Sequence, residues 1–340
     1  MGALVQDNES KTVKETIANN TPAPVFDAFH YGIDLPLKTT VHTLGFRTHL
    51  STNSPDVIQT AEENWAGFPL LFEDKSLEVR VAVSDDESAP CSTGLNFRGQ
   101  GHLLTLISDR DNFGICDLDK AFAFAWFSPA TVRNHDFLRY FYLDTIPNLL
   151  LWHSHLTRVH ASCVARAGRG VLLCGESGAG KSCLAFACAR RGWELITDEA
   201  VSLVRGSQER TVLGKPWHIH FRETASAIFP EFEGLLASPN AAGKISIEIR
   251  TADLPAVQTR FQCQASAVVF LNRPAGGPAR LVPISGRDAF ERLNRDIPLV
   301  SDAVMEQHRA ALRHLVAAGS FELRYRDLDD AVRALEPLLA

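Results

Sequence analysis

The sequence predicts an α/β protein in two parts: a smaller strand-rich domain at 25–145 and an α/β domain at 146–340. Three observations carry that expectation. Short apolar segments split by turn residues fill the chain to about Asp144. A strand, a glycine-rich loop and a helix then follow one another across Val171–Arg191, and strand-like and helical apolar runs fill the rest.

The elements read as follows. Residues 1–24, ending in Thr21-Pro22-Ala23-Pro24, carry little apolar surface and predict a disordered lead-in. Thr40–Leu44, Leu77–Val83 and Gly101–Ile107 read as strands. Val79, Val81 and Val83 alternate with other residues, the period of a strand half-exposed to water. Phe137–Leu156 predicts a helix broken near Pro147. Val159–Val164 and Val171–Cys174 predict a strand pair joined by a basic, glycine-containing turn. Ser182–Arg191 reads as a helix closed by Gly192, since glycine favours the stop position. Glu194–Thr197 is a strand ending at Asp198-Glu199, and further strands are expected at Val201–Val204, Lys244–Ile249 and Ala267–Leu271. Helices are expected around Val304–Ala318 and Leu328–Leu339.

Composition narrows the partners. Lys+Arg 34 against Asp+Glu 40 gives a net charge of −6, so nothing in the overall balance attracts nucleic acid. The 7 cysteines form no C-x-x-C pair and their odd number argues against a disulfide framework, which predicts reduced thiols and a cytoplasmic protein. No apolar run approaches the roughly 20 residues of a membrane helix, and Met1–Asn20 lacks the apolar core of a secretory signal.

Gly175-Glu176-Ser177-Gly178-Ala179-Gly180-Lys181-Ser182 fits G-x-x-x-x-G-K-[ST] at every fixed position. Such a loop turns main-chain N–H groups toward phosphates where a helix start adds positive potential. Its flanking strand and helix are both in place. The reading is ATP bound by Gly175–Ser182, with Lys181 reaching the β- and γ-phosphates and the Ser182 hydroxyl on Mg2+. Transfer to an alcohol also needs a group that takes the hydroxyl proton and acids that hold metal. Asp198 and Glu199 answer that need, because the carboxyl ends of such strands face the ligand crevice.

Taken together, these residues resemble the catalytic domain of HPr kinase/phosphorylase, which phosphorylates a serine of the phosphocarrier HPr. His160 stands fifteen residues before Gly175, Arg191-Gly192 closes the helix, and Asp198 stands seventeen residues after Lys181. The resemblance implies a mixed sheet with flanking helices, similar to HPr kinase and more distantly to phosphoenolpyruvate carboxykinase. By the same resemblance Asp198 is the catalytic base, His160 an assisting group, and Ser182 and an acid such as Glu199 share the magnesium. HPr kinase is a hexamer, which leaves a homo-oligomer open.

The departures are specific. The family's second aspartate is Glu199, and Lys215-Pro216-Trp217-His218-Ile219-His220-Phe221-Arg222 stands where its Arg-Gly-Leu-Gly-Ile-Ile type segment belongs. These point to a kinase with a hydroxyl acceptor other than HPr, a protein, a peptide or a metabolite. Arg222 and Lys244 are candidates for phosphate or acceptor contacts. A nucleotide sensor without transfer and an ATPase on the same scaffold remain as alternatives.

Overall fold

The computed structural model describes residues 29–340 apart from 66, 240–242, 244, 274–276, 298–300 and 340. The expected lead-in at 1–24 and Lys244 therefore lie outside the described residues. Leu35–Ala340 forms one unit by its internal contacts.

The first sheet comprises β1 (Leu37–Thr43), β2 (Phe46–Thr52), β3 (Phe72–Val83), β4 (Asn96–Gln100), β5 (Leu103–Ile107), β6 (Phe113–Asp117) and β7 (Phe122–Phe127), in the order β1-β2-β3-β7-β6-β5-β4. β3 runs parallel to both β2 and β7, and the remaining pairs are antiparallel. The helix Pro55–Trp65 makes the crossover from β2 to β3, as a parallel connection requires. The half-exposed reading of Leu77–Val83 fails over part of its length. Arg80 and Ala82 are buried along with Val79 and Val81, because β3 lies mid-sheet with both faces covered there.

The expected helix over Phe137–Leu156 is three pieces: a helix His135–Leu138, a π-helical turn Arg139–Leu143 and a helix Thr145–Ser154. Pro147 does not break it. The proline falls in the first turn of the last helix, where backbone N–H groups have no helical partner to lose, and the break comes at Asp144 instead.

The second sheet holds β8 (Leu156–Val159), β9 (Ala161–Arg166), β10 (Arg169–Cys174), β11 (Glu194–Thr197), β12 (Val201–Val204) and β13 (Thr211–Leu213). A small sheet of β14 (His218–Phe221), β15 (Ser238–Pro239) and β16 (Ile245–Arg250) follows, and β17 (Gln258–Thr259), β18 (Gln262–Asn272), β19 (Arg280–Pro283) and β20 (Ser320–Arg324) return to the second sheet. β9 is antiparallel to both β10 and β11, so those two run the same way, and β18 and β20 continue that direction beside β10. Four carboxyl ends therefore converge at one end of the sheet.

The uniform apolar run Val171-Leu172-Leu173-Cys174 has its cause here. Val171 and Leu173 pack on one face with Leu184 and Phe186 of the helix Lys181–Arg190, while Leu172 and Cys174 pack on the other with Leu312 and Leu315 of the helix Asp302–Val316. A strand buried on both faces cannot alternate with polar residues. Gly170 begins this strand between two thiols. A Cβ there would lie 2.3 Å from Cys263 Sγ, and the Sγ atoms of Cys163 and Cys263 are 3.7 Å apart. All seven cysteines are free, and among the described residues no helix is long and apolar enough to cross a membrane.

Candidate active site

Gly175 follows β10 directly, and the loop ends at Gly180 on the helix Lys181–Arg190. Gly178 and Gly180 have φ of +90° and +96°, a backbone region that side chains disfavour. Both are also pressed by neighbours. A Cβ on Gly178 would lie 2.9 Å from the Arg222 guanidinium nitrogens, and one on Gly180 would lie 2.9 Å from Tyr325 Oη. Lys181 Nζ donates to the carbonyls of Gly175 at 2.7 Å and Glu176 at 3.3 Å, so its ammonium lies along the loop.

His160 sits between β8 and β9, beside the loop, since Ala161 pairs with Cys174 at the end of β10. The imidazole is half-buried. Burial, then the positive charges of Lys181 and Arg158, lower its pKa, with Glu199 acting in the opposite sense. A neutral ring in this position accepts or relays a proton; it does not repel the lysine.

Asp198 follows β11 one strand further along and is 3% exposed. Its Oδ2 accepts the main-chain N–H of His220 at 2.7 Å, and the Ser162 hydroxyl donates to its main-chain carbonyl and, at 3.4 Å, to Oδ1. Glu199 beside it is half-exposed. The carboxylate of Asp198 is thus held in one orientation.

His220 was not singled out from the sequence, although the alternation His218-Ile219-His220-Phe221 holds the signal. Ile219 and Phe221 are buried, which puts both histidines on the opposite face of β14. His220 Nδ1 lies 3.6 Å from Asp198 Oδ2 and 4.0 Å from Glu199 Oε1, and Nε2 lies 3.8 Å from Glu248 Oε2. These are ion-pair distances longer than hydrogen bonds, and Nδ1 is buried without a hydrogen-bond partner. Burial alone would lower this pKa, but the carboxylates of Asp198, Glu248 and Glu199 outweigh it and push it up to about 10. The same charge holds Glu248 down to about 2.

Two further groups at the loop also escaped the sequence reading. Arg273 follows β18 and stacks over the Tyr325 ring at 5.6 Å, while Tyr325 follows β20 and reaches the Ala179 carbonyl at 3.5 Å. Arg222 Nη2 donates to Ser177 Oγ at 3.1 Å. Neither arginine has a carboxylate partner among the described residues.

The donor set suits a nucleotide. The loop offers glycines that keep its backbone bare and a lysine at a helix start, and Arg222 and Arg273 approach it from neighbouring strands. Magnesium suits the site as well, because such ions take few protein ligands beside phosphate oxygens, and Ser182, Glu199 and Asp198 are the oxygens available. No ready-made cluster of three or more metal-ligating side chains occurs among the described residues.

A cleft of about 840 Å3 opens beside these acids. Asp198, Glu199, His220 and Glu248 line it together with His135, Arg139 and Tyr140, whereas residues 175–182 do not.

Residues 153–223 match the HPr Serine kinase C-terminal domain, a stretch that contains His160, the whole loop, Asp198 and Glu199. Over that stretch the chain is HPr kinase-like. It is also similar to the HPr(Ser) kinase/phosphatase from Coxiella burnetii, at 14% identity over 54% of this chain and 91% of that one, with a TM-score of 0.29, too low to carry the fold. No curated protein matches the chain.

Proposed function

We propose that this chain, HPr kinase-like over residues 153–223, is an ATP- and magnesium-dependent kinase that phosphorylates a hydroxyl group, with Asp198 as its base. The observation that supports this best is topological. The carboxyl ends of β10 and β11, with His160 on the strand between them, bring a phosphate loop, a neutral imidazole and two carboxylates to one sheet end.

In this reading Gly175–Ser182 cradle the phosphates, and Lys181 exchanges the carbonyls of Gly175 and Glu176 for phosphate oxygens. Ser182 and Glu199 hold the magnesium, which supplies charge neutralisation at the β- and γ-phosphates. Asp198, fixed by the His220 N–H and Ser162, takes the proton of the acceptor hydroxyl as its oxygen bonds to the γ-phosphorus and the bond to the ADP oxygen breaks. His160 orients the acceptor or relays that proton. The protein acts mainly by positioning and charge stabilisation.

One observation favours a nucleotide sensor without transfer: both oxygens of Asp198 already have protein partners. ADP formation separates the two readings. With ATP, magnesium and a cell extract, the wild type is expected to form ADP in proportion to extract, and Asp198→Asn to bind ATP but lose roughly 10²- to 10⁴-fold in transfer. Lys181→Ala should lose ATP binding. Transfer that survives Asp198→Asn would remove the base assignment, and ADP formed equally without extract would mark an ATPase.

A further inference from the structure

We infer that the chain outside the family match builds the acceptor site: Arg139 and Tyr140, on the π-helical turn, position the acceptor in the cleft that Asp198 and Glu199 also line. The assignment deepens the kinase reading and rests on it. The geometry starts from Asp198, which follows the strand one removed from the loop strand and also lines the cleft, from which residues 175–182 are absent. A phosphate donor held by the loop and an acceptor held in the cleft would thus meet at Asp198 without sharing a binding wall.

Part of the cleft's lining comes from the π-helical turn. Such turns insert one extra residue per turn and re-aim side chains, which is why they recur at functional sites. Here the result is an aromatic ring left 42% exposed, Tyr140, beside Arg139, whose only ion pair among the described residues is a 3.5 Å contact to the solvent-exposed Asp136. Tyr140 stands close enough to Glu199 and Asp144 to feel their charge, and Arg139 close enough to Glu248 and His218. The other cations of the cleft are occupied, Lys215 by Asp144 and Arg250 by Asp253. Arg139 is the cation best placed to turn toward a ligand.

That pair selects by chemistry. A guanidinium fork recognises carboxylate or carbonyl oxygens, and a phenol hydroxyl donates to the same groups. The acceptor is accordingly a hydroxyl with a carbonyl or carboxylate group nearby, the seryl or threonyl unit of a peptide or of a free amino acid. The cleft, about 840 Å3, falls within the size of sites that take a small ligand or one residue of a peptide.

The test uses the full chain, γ-labelled ATP and a cell extract split by a filter into small-molecule and macromolecular fractions, together with L-serine and a short seryl peptide as defined probes. Arg139→Ala is expected to raise the half-saturating amount of the labelled acceptor about tenfold and Tyr140→Phe about threefold. Maximal rate and ATP affinity should stay unchanged, and Arg139→Lys should recover part of the loss. Tyr140→Phe removes a single oxygen and keeps the test valid if Arg139→Ala fails to fold. Label in the small-molecule fraction or L-serine identifies a free amino acid, and label in the peptide or an unfolded polypeptide identifies a peptide. Unchanged half-saturation in both variants, or label confined to a folded protein, overturns the assignment. Wild-type protein that binds ATP but labels no fraction removes the kinase reading itself, and the acceptor wall falls with it.

Discussion

Arg222, after β14 of the small sheet, and Arg273, after β18 beside the loop strand, approach the phosphate loop, and neither was required by the loop motif. Arg222 was legible as a candidate because a kinase must offset charge on the transferring group and this arginine closes the segment Lys215–Arg222 that departs from the family pattern. Arg273 was not, since nothing local marks it. It gains its place only because β18 pairs with β10, so that Phe270 stands level with Cys174 and the residues after Leu271 arrive beside Gly180. Unpaired guanidiniums at a phosphate loop bind anions in charge-assisted hydrogen bonds. Replacing either by glutamine should weaken ATP binding by roughly tenfold, in line with about 1.5 kcal/mol for such a bond, and weaken adenosine binding little. Equal losses for ATP and adenosine, measured by calorimetry, would place them away from the phosphates.

At the scale of the element, the strands Glu194–Thr197 and Val201–Val204 were legible to the residue and the strand-loop-helix unit to within two, because burial on both faces and glycine at a left-handed position leave little choice. The three-piece helix before β8 was not, because the proline that signals a break lies in a first turn that tolerates it. The β14–β16 pair carries a pH response. His220, raised to about 10, contributes stability that is complete below its unfolded value near 6.5 and is lost as pH climbs through about 10. Glu248, held to about 2, contributes stability complete above about 4.5 and lost as pH falls through about 2. The melting temperature of the wild type should therefore exceed that of His220→Gln at pH 7, and the gap should narrow as pH rises from about 7 and close by about 10. A gap that holds constant across that range would show that His220 acts by packing alone.

Across the whole molecule, the two sheets share side chains. Leu156 of β8 and Leu213 of β13 are buried in the cluster that fills the first sheet, with Trp217 and Phe261 packed on its border. The sequence could not show this, because apolar residues facing another sheet look the same as those facing a helix. The segment 146–340 expressed alone should expose these residues, bind a hydrophobic dye and aggregate at concentrations where the full chain does not; a monomeric, dye-silent fragment would count against a shared core. The support of the phosphate loop has a consequence in time. Tyr325, which reaches Ala179 and crowds Gly180, follows them by 146 residues. At about 5–20 residues per second of synthesis, the loop leaves the ribosome roughly 7 to 30 seconds before its brace, so nucleotide cannot chaperone the nascent chain and can bind its finished site only after synthesis has passed β20.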